Sequence, residues 1–252
     1  MPSTLASLHP SIAQAAQPAD GFSELKLSAS GQPYLLITHG VDGRRELWQY
    51  VLNTGQMVRL SPEELDIASR VNGYGGGSYA LLGDMPVVVA RADQALYYLK
   101  SGIARLFFQR PGCAYGGLVP DPSRHRVIAV EEEGTGPQAV QRLVAISQHG
   151  RHILAEGADF FGAPALSPDH HRIAWVEWSL PNMPWQHSRL CIGHFNPDGS
   201  IRQQPQQSPY GAVTQPQFSA DGRLICMSDR SGYWQPWEVQ GDQWRCLSNL
   251  AF

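Results

Sequence analysis

Along most of the chain apolar residues alternate with polar ones, and turns rich in Ser, Asp, Pro and Gly interrupt the alternation at regular intervals. Successive side chains of a strand point to opposite faces, so this period-two pattern predicts β-strands rather than helices. The clearest unit has the turn Ser219-Ala220-Asp221-Gly222 between the apolar stub at Phe218 and the apolar run 224–227. A second, Ser167-Pro168-Asp169 ahead of the run 173–178, lies upstream by about one blade length, the ~40–50-residue period of propeller blades. The stretch 116–121 before Val127-Ile128-Ala129-Val130 makes a third copy. Pro fixes φ at the first corner, Asp accepts from nearby backbone N–H groups, and Gly supplies positive φ, so each turn joins two antiparallel strands.

Each turn is followed by a further strand rich in aromatic and branched residues: 47–51, 96–99, 143–146, 190–192 and 237–239. Shorter outer strands are expected at 57–60, 105–108, 152–154 and 245–247. With a weaker unit from Glu24 to about Ser61 and a divergent one from Tyr74 to about Gln109, five units result. The expected fold is all-β: a β-propeller of four-stranded antiparallel blades, about five of them, an incomplete part of a larger ring of about seven. The propeller would occupy residues 21–252, after a partly helical extension at 1–20. Helical character is confined to residues 4–17, rich in Ala and Gln, and to 62–69, where Pro62 stands at a plausible first helical position before Glu63 and Glu64.

Composition narrows the function classes. Charged residues make up 16% and aromatic residues 10%, a balance suited to filling the wedges between packed blades. No apolar run approaches the ~20 residues that span a bilayer, and the N-terminus lacks a basic segment followed by an apolar one, so no membrane partner is expected and the chain is read as cytoplasmic. A net charge of −3 with Arg scattered over all units argues against a nucleic-acid partner, which needs clustered positive charge.

Candidate chemistry is sparse. Cys113, Cys191, Cys226 and Cys246 form no C-x-x-C pair and mostly fall inside predicted strands, which reads as buried free thiols. His149 and His152 flank a turn, and His170 and His171 occupy one; no thiol or carboxylate recurs at ligand spacing, so neither a metal nor a cofactor is expected. Gly75-Gly76-Gly77 lacks the following Lys-Ser or Lys-Thr of a nucleotide loop, and close backbone approach near a propeller axis accounts for it better. Ser78 follows these glycines but lacks the final Gly of a nucleophile elbow and enters a strand, so it is rejected as a nucleophile.

Three segments carry a family resemblance. Trp-Val-Glu-Trp-Ser-Leu-Pro-Asn-Met-Pro-Trp at 175–185 resembles the Leu-x-Trp-x-His-Pro-Asn-Met-Pro-Trp signature in the propeller of bacterial prolyl oligopeptidase family serine peptidases, in the branch of the acylaminoacyl peptidases and dipeptidyl aminopeptidases. Arg-Val-Asn-Gly-Tyr-Gly-Gly-Gly-Ser-Tyr at 70–79 is similar to that family's Arg-x-His-Glu-Tyr-Gly-Gly-Gly-x-Tyr, and 228–234 to its Ser-Asp-Arg-x-Gly-Trp-Trp. The sequence Ala-Asp-Phe-Phe at 158–161, before a Ser-Pro-Asp turn, also fits. The resemblance covers about residues 9–252, in the family's order.

What the resemblance implies is the propeller cap of a two-part enzyme whose C-terminal α/β-hydrolase domain carries a Ser, Asp and His triad. These 252 residues contain no G-x-S-x-G elbow, so no catalytic residue is assigned and the hydrolase domain is the expected missing partner. The cap would gate access of short peptides. Its substrate-facing residues, carried over from the motifs, would be Arg70, Tyr74, Asn182, Trp185, Asp229, Arg230 and Trp234. The sequence departs from the pattern at Asn72 and Gly73, where His and Glu are usual, and at Ser179 and Leu180, where Asp and His are usual. Loss of the carboxylate at 73 puts recognition of a substrate amino terminus there in doubt. The alternative is a free-standing propeller that binds a peptide or protein partner. An open arc of five blades would expose apolar edges and support self-association.

Overall fold

The structure, a computed structural model, describes residues 19–204 and 211–248; the helical expectation for 4–17 and the last residues of the chain lie outside them. The strands form five antiparallel sheets in chain order. The first blade comprises β1 (Gly21–Leu27), β2 (Pro33–Thr38), β3 (Arg45–Val51) and β4 (Gln56–Arg59). The second comprises β5 (Tyr79–Leu82), β6 (Met85–Val89), β7 (Leu96–Lys100) and β8 (Ile103–Phe108). The third comprises β9 (Cys113–Asp121), β10 (Arg126–Glu133), β11 (Val140–Ser147) and β12 (Gly150–Ala155). In the fourth, the innermost strand is interrupted into β13 (Phe160–Phe161) and β14 (Ala165–Leu166), both paired to β15 (Arg172–Trp178), followed by β16 (Arg189–Phe195) and β17 (Ile201–Gln204). The fifth comprises β18 (Val213–Phe218), β19 (Leu224–Ser228), β20 (Gln235–Gln240) and β21 (Gln243–Cys246). The chain is thus an all-β, five-blade propeller.

The recurrent turn works as its residues require. Ser167 Oγ and Ser219 Oγ each donate to the Asp two residues on, and each accepts the N–H that opens the next strand, from Arg172 at 2.9 Å and Arg223 at 3.0 Å. The position after Asp is left-handed, with φ +83° at Gly222 and +58° at His170. Hydroxyl hydrogen bonds hold the Asp169 and Asp221 carboxyls below the usual aspartate range.

Four hydrophobic clusters bind the blades in sequence. Tyr34, Leu36 and Leu47 of the first blade meet Tyr79 and Val88 of the second; Val87 and Leu96 meet Tyr115 and Val127. Ile128 and Leu143 meet Phe161 and Trp175, and Val176 and Leu190 meet Val213 and Leu224. Burying each such side chain fully is worth about 1.5–3 kcal/mol. No core cluster among the described residues joins the fifth blade to the first. Glu24 of the first blade accepts from Ser78 N at 2.9 Å, at the entry to the second blade.

Two local expectations are corrected. Residues 62–69 are not helical: a turn in which Leu65 N donates to Pro62 O at 3.2 Å leads into extended chain, where Ile67 bridges Ala90. The reason is tertiary, because Ile67 and Ala68 are buried against the second blade, and a helix there would remove them. The outer strand β17 was not foreseen; Ile-Arg-Gln-Gln offers no apolar alternation to see. Cys113, Cys191 and Cys226 are buried free thiols, as read; Cys246 is only half-buried, its Sγ 2.8 Å from Gln235 Oε1. Burial pushes the Cys191 and Cys226 thiols up to about 12. No helix is long and apolar enough to cross a membrane, among the described residues.

Candidate functional site

In a four-stranded antiparallel blade the loop between the second and third strands emerges at the same end as the connection to the next blade. All three motif segments lie at that end. The segment 60–78 connects the first blade to the second, 179–188 joins β15 to β16, and 229–234 joins β19 to β20. The Ser-x-Asp turns occupy the opposite end.

Glycine brings the inner strands together there. Gly117 N donates to Gly76 O at 2.9 Å and Leu118 N to Gly77 O at 3.0 Å. A Cβ on Gly77 would stand 2.5 Å from Gly117 Cα, and one on Gly117 would stand 3.1 Å from Ala163 Cα. Three consecutive blades therefore meet backbone to backbone, as the glycine run implied. Ser78 is fully buried, with its Oγ accepting from Ser69 N at 3.3 Å, which suits a structural serine.

The segment 69–74 is fixed by buried side chains from other blades. Gln94, 1% exposed, accepts from Arg70 N at 2.8 Å and donates to Ala68 O at 3.0 Å. Asn72 adopts φ +61°, a conformation Asn tolerates well. Its N–H donates to Glu132 Oε2 at 2.9 Å and its Oδ1 accepts from Gln141 Nε2 at 2.7 Å. Gln141 also donates to Glu132 Oε2 at 2.8 Å and accepts from Phe161 N at 3.0 Å, tying three blades at one amide. Asn72 therefore holds its place by its own hydrogen bonds. Gly73 has φ +77°, which disfavours a side chain at the position where the family pattern has Glu.

Beside this segment lies a cleft of about 490 Å³, lined among others by Arg70, Glu132, Gln141, Asp159, Phe160 and Leu180. Phe160 is stacked on Trp178 at 5.4 Å, giving the cleft a firm aromatic wall. Asp159 Oδ2 accepts from Leu180 N at 2.9 Å, which anchors the 179–188 loop to the connection between the third and fourth blades. A smaller recess of about 260 Å³ adjoins it, with Tyr74, the three glycines and Trp178 in its walls.

The motif residues divide into two groups. Arg70 and Tyr74 line the cleft and the recess, and Tyr74 is 78% exposed. Asn182 and Trp185 are exposed on the loop whose Leu180 lines the cleft, and Asn182 N closes a turn onto Ser179 O at 3.2 Å. In the fifth blade, Asp229 Oδ1 accepts from Ala212 N at 2.6 Å, and the Arg230 guanidinium lies 4.5 Å from the Trp244 ring and 5.2 Å from that of Trp237, so both serve their own blade. Trp234 is exposed at the same end but lines none of these recesses. Glu132 and Gln141 were not singled out from the sequence. The only signal was a Glu-Glu-Glu run ending the apolar strand β10. No group of three His, Cys, Asp or Glu among the described residues is placed to hold a metal.

No family model matches the sequence, and no curated protein does. Solved structures do share the fold. Puromycin hydrolase superposes with a TM-score of 0.84 at 22% identity, over 94% of this chain and 40% of that one. A puromycin-hydrolyzing peptidase of Mycobacterium tuberculosis superposes with a TM-score of 0.78 at 23% identity, over 93% and 39%. An oligogalacturonate lyase follows at 0.61 and 14% identity, over 92% of this chain and 74% of that one. The chain spans about two fifths of the length of the two puromycin-hydrolyzing proteins. At these identities the likeness is one of fold.

Proposed function

We propose that this chain is the propeller cap of a serine peptidase of the prolyl oligopeptidase family, in the branch of the acylaminoacyl peptidases and dipeptidyl aminopeptidases, and that it gates access of short peptides to a hydrolase domain lying outside these 252 residues. The supporting observation is the convergence of motif and geometry. The segments at 70–79, 175–185 and 228–234, which resemble that family's propeller, emerge at one end of the fold, and two of them border one cleft. The superposition on puromycin hydrolase and a puromycin-hydrolyzing peptidase over about two fifths of their length is consistent with such a division. In this reading the cap excludes large folded substrates, and the triad chemistry belongs to the hydrolase domain.

One observation favours a second reading, a free-standing propeller that binds a peptide or protein partner. Asn72 and Gly73 replace the His and Glu of the family pattern, and both are accommodated by the backbone they occupy. A fluorophosphonate probe applied to an extract of the source cells separates the two. Label on a species much heavier than 27.7 kDa that yields peptides of this sequence is the outcome expected for the cap. An unlabelled species near 27.7 kDa as the sole form would overturn it in favour of the free-standing propeller.

A further inference from the structure

The cleft holds charges of both signs that do not satisfy one another. The Arg70 guanidinium has no hydrogen-bond or ion-pair partner among the described residues, although its backbone N–H is held by Gln94. Glu132 uses Oε2 for Asn72 N and Gln141 Nε2, and Oε1 takes no donor among the described residues. Asp159 uses Oδ2 for Leu180 N, and its Oδ1 takes no donor among the described residues. None of the three pairs with another within the reach of a salt bridge, yet all line the same cleft. Two carboxylates and a guanidinium facing a common space without closing on each other leave spare acceptors and spare donors apart, which is the arrangement that suits a ligand carrying both a cation and an anion.

The volume and walls narrow that ligand. About 490 Å³ lies at the small-molecule end of binding clefts, and one wall is the Phe160 ring backed by Trp178. The geometry points to a zwitterionic short peptide with both termini free: its ammonium directed to Glu132 Oε1 and Asp159 Oδ1, its carboxylate to the Arg70 guanidinium in a bidentate pair, and an apolar side chain against Phe160. The choice of a peptide among zwitterions rests on the function proposed above; the charge pattern does not. On this arrangement the amino-terminal contact is supplied from the third and fourth blades, and the positions Asn72 and Gly73 are not needed for it. The cleft then selects by length as well as charge, since a longer chain cannot place both ends within a space of this size.

The test is calorimetric titration of the full chain with Ala-Phe-Ala in three forms: free, N-acetylated and C-amidated. The free peptide is expected to bind best, with each cap weakening binding about tenfold, the size of one charge-assisted contact at a partly exposed site. Arg70→Gln should abolish the penalty of the C-terminal amide and leave that of the acetyl group. Glu132→Gln keeps an oxygen acceptor for Asn72 and Gln141, and together with Asp159→Asn should do the converse. Circular dichroism confirms that each variant is folded, and Asp159→Asn alone, at an exposed residue, covers the case in which the Glu132 variant is not. Equal affinity for all three forms, or no binding at about 10 mM peptide, would overturn the inference. Absence of binding alongside a heavy fluorophosphonate-labelled species would overturn it alone and leave the peptidase reading standing.

Discussion

Phe161 and Phe22 sit on the innermost strands of their blades, in segments of similar apolar character, yet one is 1% and the other 70% exposed. Phe161 is wedged between the third and fourth blades with Ile128, Leu143 and Trp175. Phe22 pairs with Ile37, and because side chains alternate along β2, it stands on the face opposite buried Leu36, away from the second blade. Leu25 and Leu27 of β1 are likewise 71% and 66% exposed. A blade has two faces, and its own sequence makes both apolar enough to bury. Whether a face is buried is decided by the next blade, so the same strand pattern yields a core in the middle of the propeller and an open surface at the first blade.

The largest effect that sharpens this comparison is a pair of truncations. Phe161→Ala removes a ring from a filled junction and should cost about 3–5 kcal/mol in urea unfolding. Phe22→Ala should stay within about 0.5 kcal/mol, the range of surface changes away from special features. A cost for Phe22→Ala approaching that of Phe161→Ala would break the comparison, because it would mean that the first blade's outer face is covered in solution.

Within the connection between the first two blades, two glycines repeat the contrast on a scale of a few residues. Gly73 and Gly77 both have positive φ, +77° and +59°. A Cβ on Gly73 would meet nothing within 4 Å, whereas one on Gly77 would lie 2.5 Å from Gly117 Cα. Gly73→Ala should therefore cost about 1 kcal/mol, the left-handed backbone term alone. Gly77→Ala adds overpacking of backbone against backbone and should reach about 3 kcal/mol. Denaturant midpoints of the two variants measure the difference, and equal midpoints would mean that the inner strands are not in contact.

How much of this was readable from sequence follows the same division. The blades were legible because alternation and the Ser-x-Asp turn are local signals: β3, β7, β11, β16 and β20 fall on the aromatic and branched runs. The glycine contact at Gly77 was legible as a requirement, though its partner Gly117, 40 residues on, was not. Residues 62–69 misled because Pro62-Glu63-Glu64 is a good local helix start, and the competing burial of Ile67 beside Ala90 is long-range. β17 was missed because it is a polar outer strand with nothing to alternate. In the cleft, Arg70 could be found through its motif, whereas Glu132 and Gln141 take their role from Asn72, some 60 and 69 positions away. Pairings at that separation leave no trace in a single sequence.

The smallest effect concerns the turns, where an interior turn can be set against one in the last blade. The turn at Asp169 is backed by neighbours on both sides, with Arg124 Nη1 donating to His170 O at 3.0 Å and Arg172 reaching Gly222 O. The turn at Asp221 is backed from one side only, by that same Arg172 bond to Gly222 O, and has Arg223 of its own turn 2.9 Å away. Both carboxyls are held below the ordinary aspartate value of about 3.9, chiefly by the Ser167 and Ser219 hydroxyls. A carboxyl whose folded value is depressed contributes stability that is present above the unfolded value and is lost as pH falls through the folded one. Asp169→Asn keeps an acceptor for His171 N and removes the titrating charge, so it should cost less than about 1 kcal/mol at neutral pH, solvent screening keeping the loss small. Its melting temperature should converge with that of the wild type as pH falls below the ordinary aspartate range. Asp221→Asn should show the same convergence with a smaller gap at neutral pH, because this turn is braced from the fourth blade alone and its carboxylate, 60% exposed, is screened by solvent. A gap at either position that is constant from neutral pH into the acid range would mean that the ionised carboxylate and its hydroxyl hydrogen bond do not stabilise the turn, and that the cost of Asn lies in its amide.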